Sequence, residues 1–346
     1  MPRVTVSQVC RVVGILGLVV GTCAPAAARG DILYVVSKST NKLLRLDSSA
    51  PSSVTTLTGS LFSPSALAMG VDGNLYIAEW GDGDTIDPRI SRYDLANNTL
   101  TVVTTLDYAT QSNPSSLAFR PASQGGQMLV GRLGAGPVLM VSDWNGNAAT
   151  VANFTTGLSL DGALGLAVAP NGTLYVSDTV YTYNPSLGYA VASGPVVSFD
   201  STGVFSATVA ADGSASNGLF GPTGLVLDGN ALYSASVMNG KIFSTNLTSG
   251  TTTEFATTGY PFEVGPLAQL SDGSLLAGSV SGQSNRIYRF SSSGNFLGVI
   301  VDSNFGQVGG IVAVPVPEPS AVILAGCGVA AVAAWRRRTG SRSADA

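Results

Sequence analysis

The chain has 346 residues, of which 45% are hydrophobic and only 11% are charged. This composition excludes an intrinsically disordered acidic chain, because disorder requires high charge and low hydrophobicity. The formal net charge of −4 leaves no basic surplus to neutralise phosphates, which argues against nucleic-acid binding. The sequence contains no histidine, so Ser-His-Asp catalysis, Cys-His catalysis and His-ligated zinc sites are excluded as well.

Residues 1–28 have the order of a secretory signal peptide. Arg3 and Arg11 form a basic region, residues 12–20 are apolar, and residues 24–28 contain an Ala-x-Ala cleavage site. We therefore expect a signal helix followed by a mature chain that begins near Arg29. A lipoprotein attached through Cys23 is a weaker alternative, because the threonine before it suits that processing poorly. A buried N-terminal helix is the remaining alternative.

Residues 30–315 contain a repeat with two linked elements, which must be recognised before the fold is assigned. The first element is a short apolar run, and the leucines that anchor successive copies are 42 to 59 residues apart. These anchors are Leu67, Leu117, Leu166, Leu225 and Leu267. The second element is an Asp-Gly or Asn-Gly turn followed by another strand. Such turns are typical of tight hairpins in which both turn residues take positive φ.

Third and fourth strands follow in the repeat, for example at residues 89–94 and 99–104. Four short antiparallel strands at this interval are typical of β-propeller blades. Residues 31–37 are a second strand without a first, and residues 309–314 are a first strand without a second. Pairing these two segments completes a sixth blade. The sequence therefore predicts an all-β, six-bladed propeller over residues 29–315. A β-sandwich with an additional domain would not explain why the last strand matches the repeat.

The segments Leu75–Trp80 and Leu174–Thr179 each follow a glycine turn, and they resemble NHL-type repeats and the wider gluconolactonase-like propellers. The resemblance extends over nearly all of residues 31–314. It implies a propeller fold, and by itself it assigns no activity because these propellers have unrelated functions.

Propeller geometry brings the start of each first strand and the end of each second strand to one mouth of the channel. Several oxygen-bearing side chains occupy these positions, and such ligands suit Ca²⁺ or another divalent cation. The candidate metal ligands are Glu79, Asn113, Asp161, Asp178 and Glu263, with Gln307 beside them. The gluconolactonase-like resemblance implies a catalytic metal at this mouth, for which Glu263, Asn113 and Asp161 are the best positional matches. The alternative is that these side chains cap turns by accepting backbone N–H bonds.

Two surface loops are further candidates. Asp82, Asp84 and Asp87 lie close together in a glycine-rich loop that could hold Ca²⁺, although its spacing is not that of an EF-hand and a solvated turn is the alternative. The insertion at residues 179–194 carries Tyr181, Tyr183 and Tyr189 and should project from the same mouth. These tyrosines would contact sugars or a protein partner, or pack the loop against its blade.

The C-terminal region has three consecutive parts: Val316-Pro317-Glu318-Pro319-Ser320, the apolar residues 321–335, and Arg336-Arg337-Arg338. Fifteen helical residues rise about 22 Å, which is short of the roughly 30 Å hydrocarbon core of a bilayer. This order resembles the PEP-CTERM sorting signal, here at residues 316–338, with a polar tail at 339–346. The resemblance implies a Gram-negative source, transient membrane anchoring and processing by an exosortase. It also implies delivery through the inner membrane to the cell envelope, outer surface or extracellular matrix. A permanent tail anchor is the alternative.

Without these terminal segments, the propeller has ten basic and nineteen acidic residues, a net charge of −9, and no cysteine. A cation is therefore a better first expectation for a ligand than an anion. We expect an exported, non-catalytic propeller that binds exopolysaccharide, a small ligand or surface proteins. A metal-dependent lactonase-like hydrolase and a purely structural adhesin are the alternatives.

Overall fold

The computed structural model describes residues 30–111, 113–145, 149–184, 189–213, 218–261, 263–281 and 285–316. The predicted signal helix, the predicted C-terminal apolar helix and the sorting residues from Pro317 onward lie outside these ranges. Within the ranges, no helix has the length and apolar character that crossing a membrane requires. Residues Asp31–Val314 form one compact unit.

The compact unit is built almost entirely from short strands. In chain order they are β1 (Ile32–Ser37), β2 (Lys42–Asp47), β3 (Ala50–Thr58), β4 (Pro64–Met69), β5 (Leu75–Glu79), β6 (Arg89–Asp94), β7 (Thr99–Thr105), β8 (Pro114–Phe119), β9 (Met128–Arg132), β10 (Leu139–Ser142), β11 (Thr150–Asn153), β12 (Ala163–Val168), β13 (Leu174–Asp178), β14 (Val180–Asn184), β15 (Tyr189–Ser193), β16 (Val196–Phe199), β17 (Phe205–Ala210), β18 (Pro222–Asp228), β19 (Ala231–Ser236), β20 (Lys241–Asn246), β21 (Thr252–Thr257), β22 (Leu267–Gln269), β23 (Leu275–Gly278), β24 (Arg286–Phe290), β25 (Phe296–Val301) and β26 (Val308–Val314).

Among the described residues, these strands form six four-stranded antiparallel sheets, which confirms the predicted six-bladed propeller. The sheets have the orders β26-β1-β2-β3, β4-β5-β6-β7, β8-β9-β10-β11, β12-β13-β16-β17, β18-β19-β20-β21 and β22-β23-β24-β25, and we number them blades 1 to 6. The innermost strands contact one another in sequence around the ring, from β26 through β4, β8, β12, β18 and β22 back to β26.

Blade 1 is completed by both ends of the compact unit. Strand β1 pairs antiparallel with β26, in a register that runs from Ile32 opposite Val314 to Ser37 opposite Val308. This is the predicted closure. It covers the edge of β1 and leaves no gap in the ring of inner strands.

The core lies between neighbouring blades, and six of the apolar clusters in the described residues each join two adjacent blades. Between blades 2 and 3, the rings of Tyr76, Phe119 and Trp144 meet edge to face with centroids 5.1 Å apart. Such contacts make each blade depend on its neighbours for burial of its apolar faces.

The hairpin turns differ from the expectation that both turn residues take positive φ. At Asp72-Gly73 only the glycine does, with φ 78°. The amide of Gly70 donates to the carbonyl of Asn74 at 2.8 Å, which makes a three-residue loop with glycine in the left-handed position. Blades 4 and 6 repeat this arrangement at Gly172 and Gly273. The strands were therefore placed correctly, but the predicted turn type was wrong.

Within the described ranges, three elements lie outside the blades. A single helical turn, α1 (Tyr108–Gln111), precedes β8, and a 3₁₀ turn at Ala122–Gln124 precedes β9. The hairpin β14-β15 is an insertion between β13 and β16 and forms a separate two-stranded sheet. It is the insertion that carries the tyrosines noted in the sequence.

Candidate functional site

A central cavity of about 630 Å³ lies on the axis of the ring. The inner strands of all six blades contribute to its wall, and the five predicted leucine anchors face it together with Ile311. The wall is mostly apolar, and its volume lies within the range of small-molecule binding sites.

One mouth of the cavity is formed where the second strands end. The amide of the residue that follows a second strand donates to the carbonyl of the residue that precedes the inner strand of the same blade. This bond joins Lys38 to Gln307 at 2.8 Å, Trp80 to Ser63 at 3.2 Å, Leu133 to Asn113 at 2.9 Å, Thr179 to Gly162 at 2.8 Å and Val237 to Gly221 at 3.0 Å. The predicted meeting of first-strand starts and second-strand ends is therefore present in these five blades.

The last residues of the second strands are buried and do not line the cavity. In blades 2 to 5 the side chain of this residue bonds the segment that leads into the inner strand of the same blade. The Glu79 carboxylate accepts the Phe62 amide at 2.7 Å, and the Ser236 hydroxyl oxygen accepts the Phe220 amide at 2.8 Å. In blade 3 the guanidinium of Arg132 donates to the carbonyl of Thr110. These side chains fix the inner strands to their blades.

Glu79 has the most extensive set of partners. Its side chain is 0% exposed and receives Arg89 at both oxygens, at 3.1 and 3.2 Å. The hydroxyl of Ser91 donates to the same carboxylate. Together with the Phe62 amide, these donors occupy both oxygens, which is the arrangement that a buried charge requires.

Asp178 and Asp161 lie side by side, although Asp161 contributes its backbone. The Asp178 carboxylate accepts the amides of Asp161 at 2.7 Å and of Gly162 at 3.1 Å. Burial raises the pKa of Asp178, and these two bonds oppose that rise. Asp178 thus caps the segment before β12, as the turn-capping alternative anticipated.

The remaining candidate metal ligands have separate surroundings. Glu263 accepts the hydroxyl of Tyr288 at 2.8 Å in blade 6, and Asn113 takes part through its backbone carbonyl. Over the described ranges, no three Asp, Glu or Cys side chains are grouped so that they could hold a metal ion. Of the candidate set, Gln307 lines the cavity.

The loop with Asp82, Asp84 and Asp87 is organised by its first aspartate. Asp82 accepts the amides of Asp84, Thr85 and Ile86 at 2.7 to 3.0 Å and the Thr85 hydroxyl at 2.6 Å. These bonds, that from the Thr85 hydroxyl first, hold the pKa of Asp82 well below its usual range. The carboxylates of Asp84 and Asp87 are exposed.

Lys38 and Trp80 are the most distinctive side chains of the mouth. The Lys38 ammonium lies 2.8 Å from the centre of the Trp80 ring, and the indole N–H donates to the carbonyl of Pro114 at 2.8 Å. Burial lowers the pKa of Lys38 to about 8. Within the described part of the chain, no carboxylate forms an ion pair with Lys38.

Of the three tyrosines predicted in the inserted hairpin, Tyr181 on β14 lines the cavity and is 46% exposed. The side chains of Tyr183 and Tyr189 are not among those described.

Sequence reasoning missed Lys38 and Trp80 by one position, because it stopped at Ser37 and Glu79. Side chains alternate between faces along a strand, so the last strand residue points into the blade and the next one points to the channel. The residue that follows the second strand lines the cavity in blades 1, 2, 3 and 5, at Lys38, Trp80, Leu133 and Val237.

Comparisons with known proteins agree with the fold and the sorting signal. A family model described as the PEP-CTERM protein-sorting motif matches residues 315–338, which confirms that resemblance. The motif implies an exported protein of the cell envelope that is processed by an exosortase. A search of curated proteins finds no match.

Among solved structures, a chain in a crystal structure of a nidogen/laminin complex is 16% identical, with a TM-score of 0.63. The match covers 82% of this chain and 98% of that chain. At this identity the similarity shows the propeller fold alone. The NHL-type assignment stays a prediction.

Proposed function

We propose that the protein is a non-catalytic binding propeller that takes a ligand from the exopolysaccharide matrix or the cell surface into its central cavity. The observation that carries this proposal is the cavity itself, which is open to one mouth and lined mainly by apolar groups with a few polar side chains. Such a lining is typical of sites that bind and orient a ligand.

The positions of the carboxylates that were expected to hold a catalytic metal favour a binding function over hydrolysis. Glu79 and Asp178 cap backbone segments and face away from the cavity, and Glu263 accepts a tyrosine hydroxyl. A purely structural adhesin would have no need for a cavity of this size. The sorting motif supports the location, since it directs a protein to the envelope where matrix polymers are available.

Binding of isolated exopolysaccharide by the purified protein tests the proposal. The variant Leu133→Trp places a larger side chain at the mouth, and we expect it to weaken binding at least tenfold. The matched control Leu297→Trp lies on the exposed outer strand β25 and should bind like the unmodified protein. The proposal is wrong if the unmodified protein does not bind, or if both variants bind equally well. If the protein turns over lactones or phosphoesters in the presence of Ca²⁺, and Glu263→Ala abolishes this turnover, the claim that the propeller is non-catalytic is wrong.

A further inference from the structure

We propose that the cavity binds the carboxylate of an acidic sugar, with the Lys38 ammonium as the group that receives it. This inference rests on the proposed binding function and names its ligand class. It concerns one feature of the mouth, a cation that has no carboxylate partner among the described residues of an otherwise acidic propeller.

Lys38 is the only charged side chain among the described residues that line the cavity. The internal stretches outside the described ranges contain no charged residue in the sequence. The ammonium is partly withdrawn from water, and the face of Trp80 compensates only part of the lost hydration. A ligand anion would supply the missing counter-charge. The propeller as a whole is negatively charged, but the charge in its cavity is positive. The expectation of a cationic ligand therefore does not fit this lining.

The position of the ammonium is fixed by its surroundings. The indole beneath it is held by the bond to Pro114, and the Lys38 backbone is held by the bond to Gln307. Lys38 follows β1 and Gln307 precedes β26, so this part of the mouth exists only when the ring is closed. A preorganised cation of this kind favours a ligand anion over mobile counter-ions.

The other groups at the mouth favour a sugar over a bare anion. The amide of Gln307 and the phenol of Tyr181 lie at the same mouth, and both can bond hydroxyl groups. The leucine anchors below them present an apolar surface suited to the C–H face of a sugar ring. A cavity of about 630 Å³ is larger than a single free carboxylate or phosphate requires.

The site should lose affinity as the pH rises through about 8. Lys38 is charged below its pKa and neutral above it, and only the charged form attracts a carboxylate. Trp80 and Gln307 do not titrate. Among the described residues of the lining, Tyr181 is the other titratable group, and partial loss of hydration raises its pKa, so it stays neutral over this interval.

Calorimetry on the purified full-length protein tests the inference with D-glucuronate, D-glucose and inorganic phosphate as probes. We expect glucuronate to bind, and Lys38→Met to weaken this binding at least tenfold. Lys38→Arg should keep most of the affinity for glucuronate, and this affinity should no longer decrease near pH 8. The control Lys241→Met removes a lysine that pairs with Glu254 outside the cavity and should change nothing. A thermal melt that matches the unmodified protein shows that each variant is folded.

Three outcomes would overturn the inference. Glucuronate binding that is equal in Lys38→Met excludes the lysine as its receiver. Phosphate that binds as tightly as glucuronate shows a general anion site without sugar recognition. The third outcome is that the unmodified protein binds polysaccharide but not glucuronate, and that Leu133→Trp abolishes the polysaccharide binding. This result would exclude an acidic sugar as the ligand and leave the proposed binding function intact.

Discussion

Glu79 shows how a single buried charge is stabilised in this propeller. Breaking a buried, hydrogen-bonded ion pair costs about 3 to 5 kcal/mol, because the remaining charge stays uncompensated. We expect Glu79→Gln to lower the free energy of unfolding by about 3 kcal/mol in denaturant titrations. The control Glu254→Gln removes the acid of an exposed pair with Lys241 and should cost less than about 1 kcal/mol. Equal losses in the two variants would contradict this role for Glu79.

Asp178 should respond to pH in the opposite sense from exposed acids such as Asp107. Its pKa in the folded state lies above the unfolded value, so the folded protein binds more protons in the interval between the two values. Stability is therefore lost as the pH rises through this interval. We expect Asp178→Asn to keep both accepted amide bonds and to raise the free energy of unfolding at pH 7. This gain should vanish as the pH falls into the usual carboxyl range.

Asp107 is the matched control for this pH experiment. It is exposed, and the bond from the Thr110 hydroxyl, followed by that from the Ala109 amide, lowers its pKa. Its contribution to stability is present above the unfolded pKa and is lost as the pH falls through the folded value. Asp107→Asn should therefore destabilise the protein at pH 7. Urea titrations of both variants at pH 3 to 7 would reveal the opposite signs, and a loss of stability at pH 7 in Asp178→Asn would contradict the assignment.

At the residue scale, the sequence located the mouth but not the side chains that face it. Composition and spacing predicted which segments meet there, and this was correct for Ser63, Asn113 and Gly162. The direction of a side chain depends on where its strand ends, and a shift of one residue exchanges the two faces. This is why the sequence predicted Glu79 as a ligand and passed over Trp80. The stacking of Lys38 on that ring joins two blades and has no local sequence signal.

At the element scale, Gly165 sets how closely the inner strands of blades 4 and 5 approach each other. A methyl group at this position would overlap the backbone carbonyl of Thr223 and the Ser177 hydroxyl. We expect Gly165→Ala to cost about 2 kcal/mol or more, because a backbone carbonyl cannot yield as a side chain can. In Gly59→Ala the new methyl group contacts nothing, and stability should change by less than about 0.5 kcal/mol. Thermal melts of the two variants distinguish the two cases, and equal midpoints would exclude a packing role for Gly165.

The strands were predictable because they are short runs rich in apolar and β-branched residues, and several of them are bounded by glycine turns. The turn type was not predictable from Asp-Gly alone, since the same dipeptide serves two-residue and three-residue loops. Helix α1 was missed because a single turn with no buried residue leaves no periodic pattern. The hairpin β14-β15 was recognised as a loop with three tyrosines, and its strand pairing emerged only in the structure.

For the whole molecule, closure of the ring depends on non-covalent contacts alone. The three cysteines of the chain, Cys10, Cys23 and Cys327, lie outside the compact unit, so no disulfide can join its ends. Most of the stability of blade 1 should therefore depend on the pairing of β1 with β26 and on the apolar cluster that includes Leu33, Val35 and Ile311. Without β26, the buried strand β1 would become an exposed edge.

A comparison of two shortened chains tests this dependence. A chain that ends at Val316 keeps β26, and we expect it to unfold in one cooperative transition in urea. A chain that ends at Gln307 lacks β26, and we expect it to lose that transition or to aggregate, because β1 and the apolar groups around Leu33 are uncovered. Near-ultraviolet circular dichroism and size-exclusion chromatography measure the two effects. A synthetic peptide of residues 308–316 should restore cooperative unfolding to the shorter chain by pairing with β1. Equal unfolding midpoints without the peptide would show that the ring is held together by the remaining blade contacts and that closure contributes little.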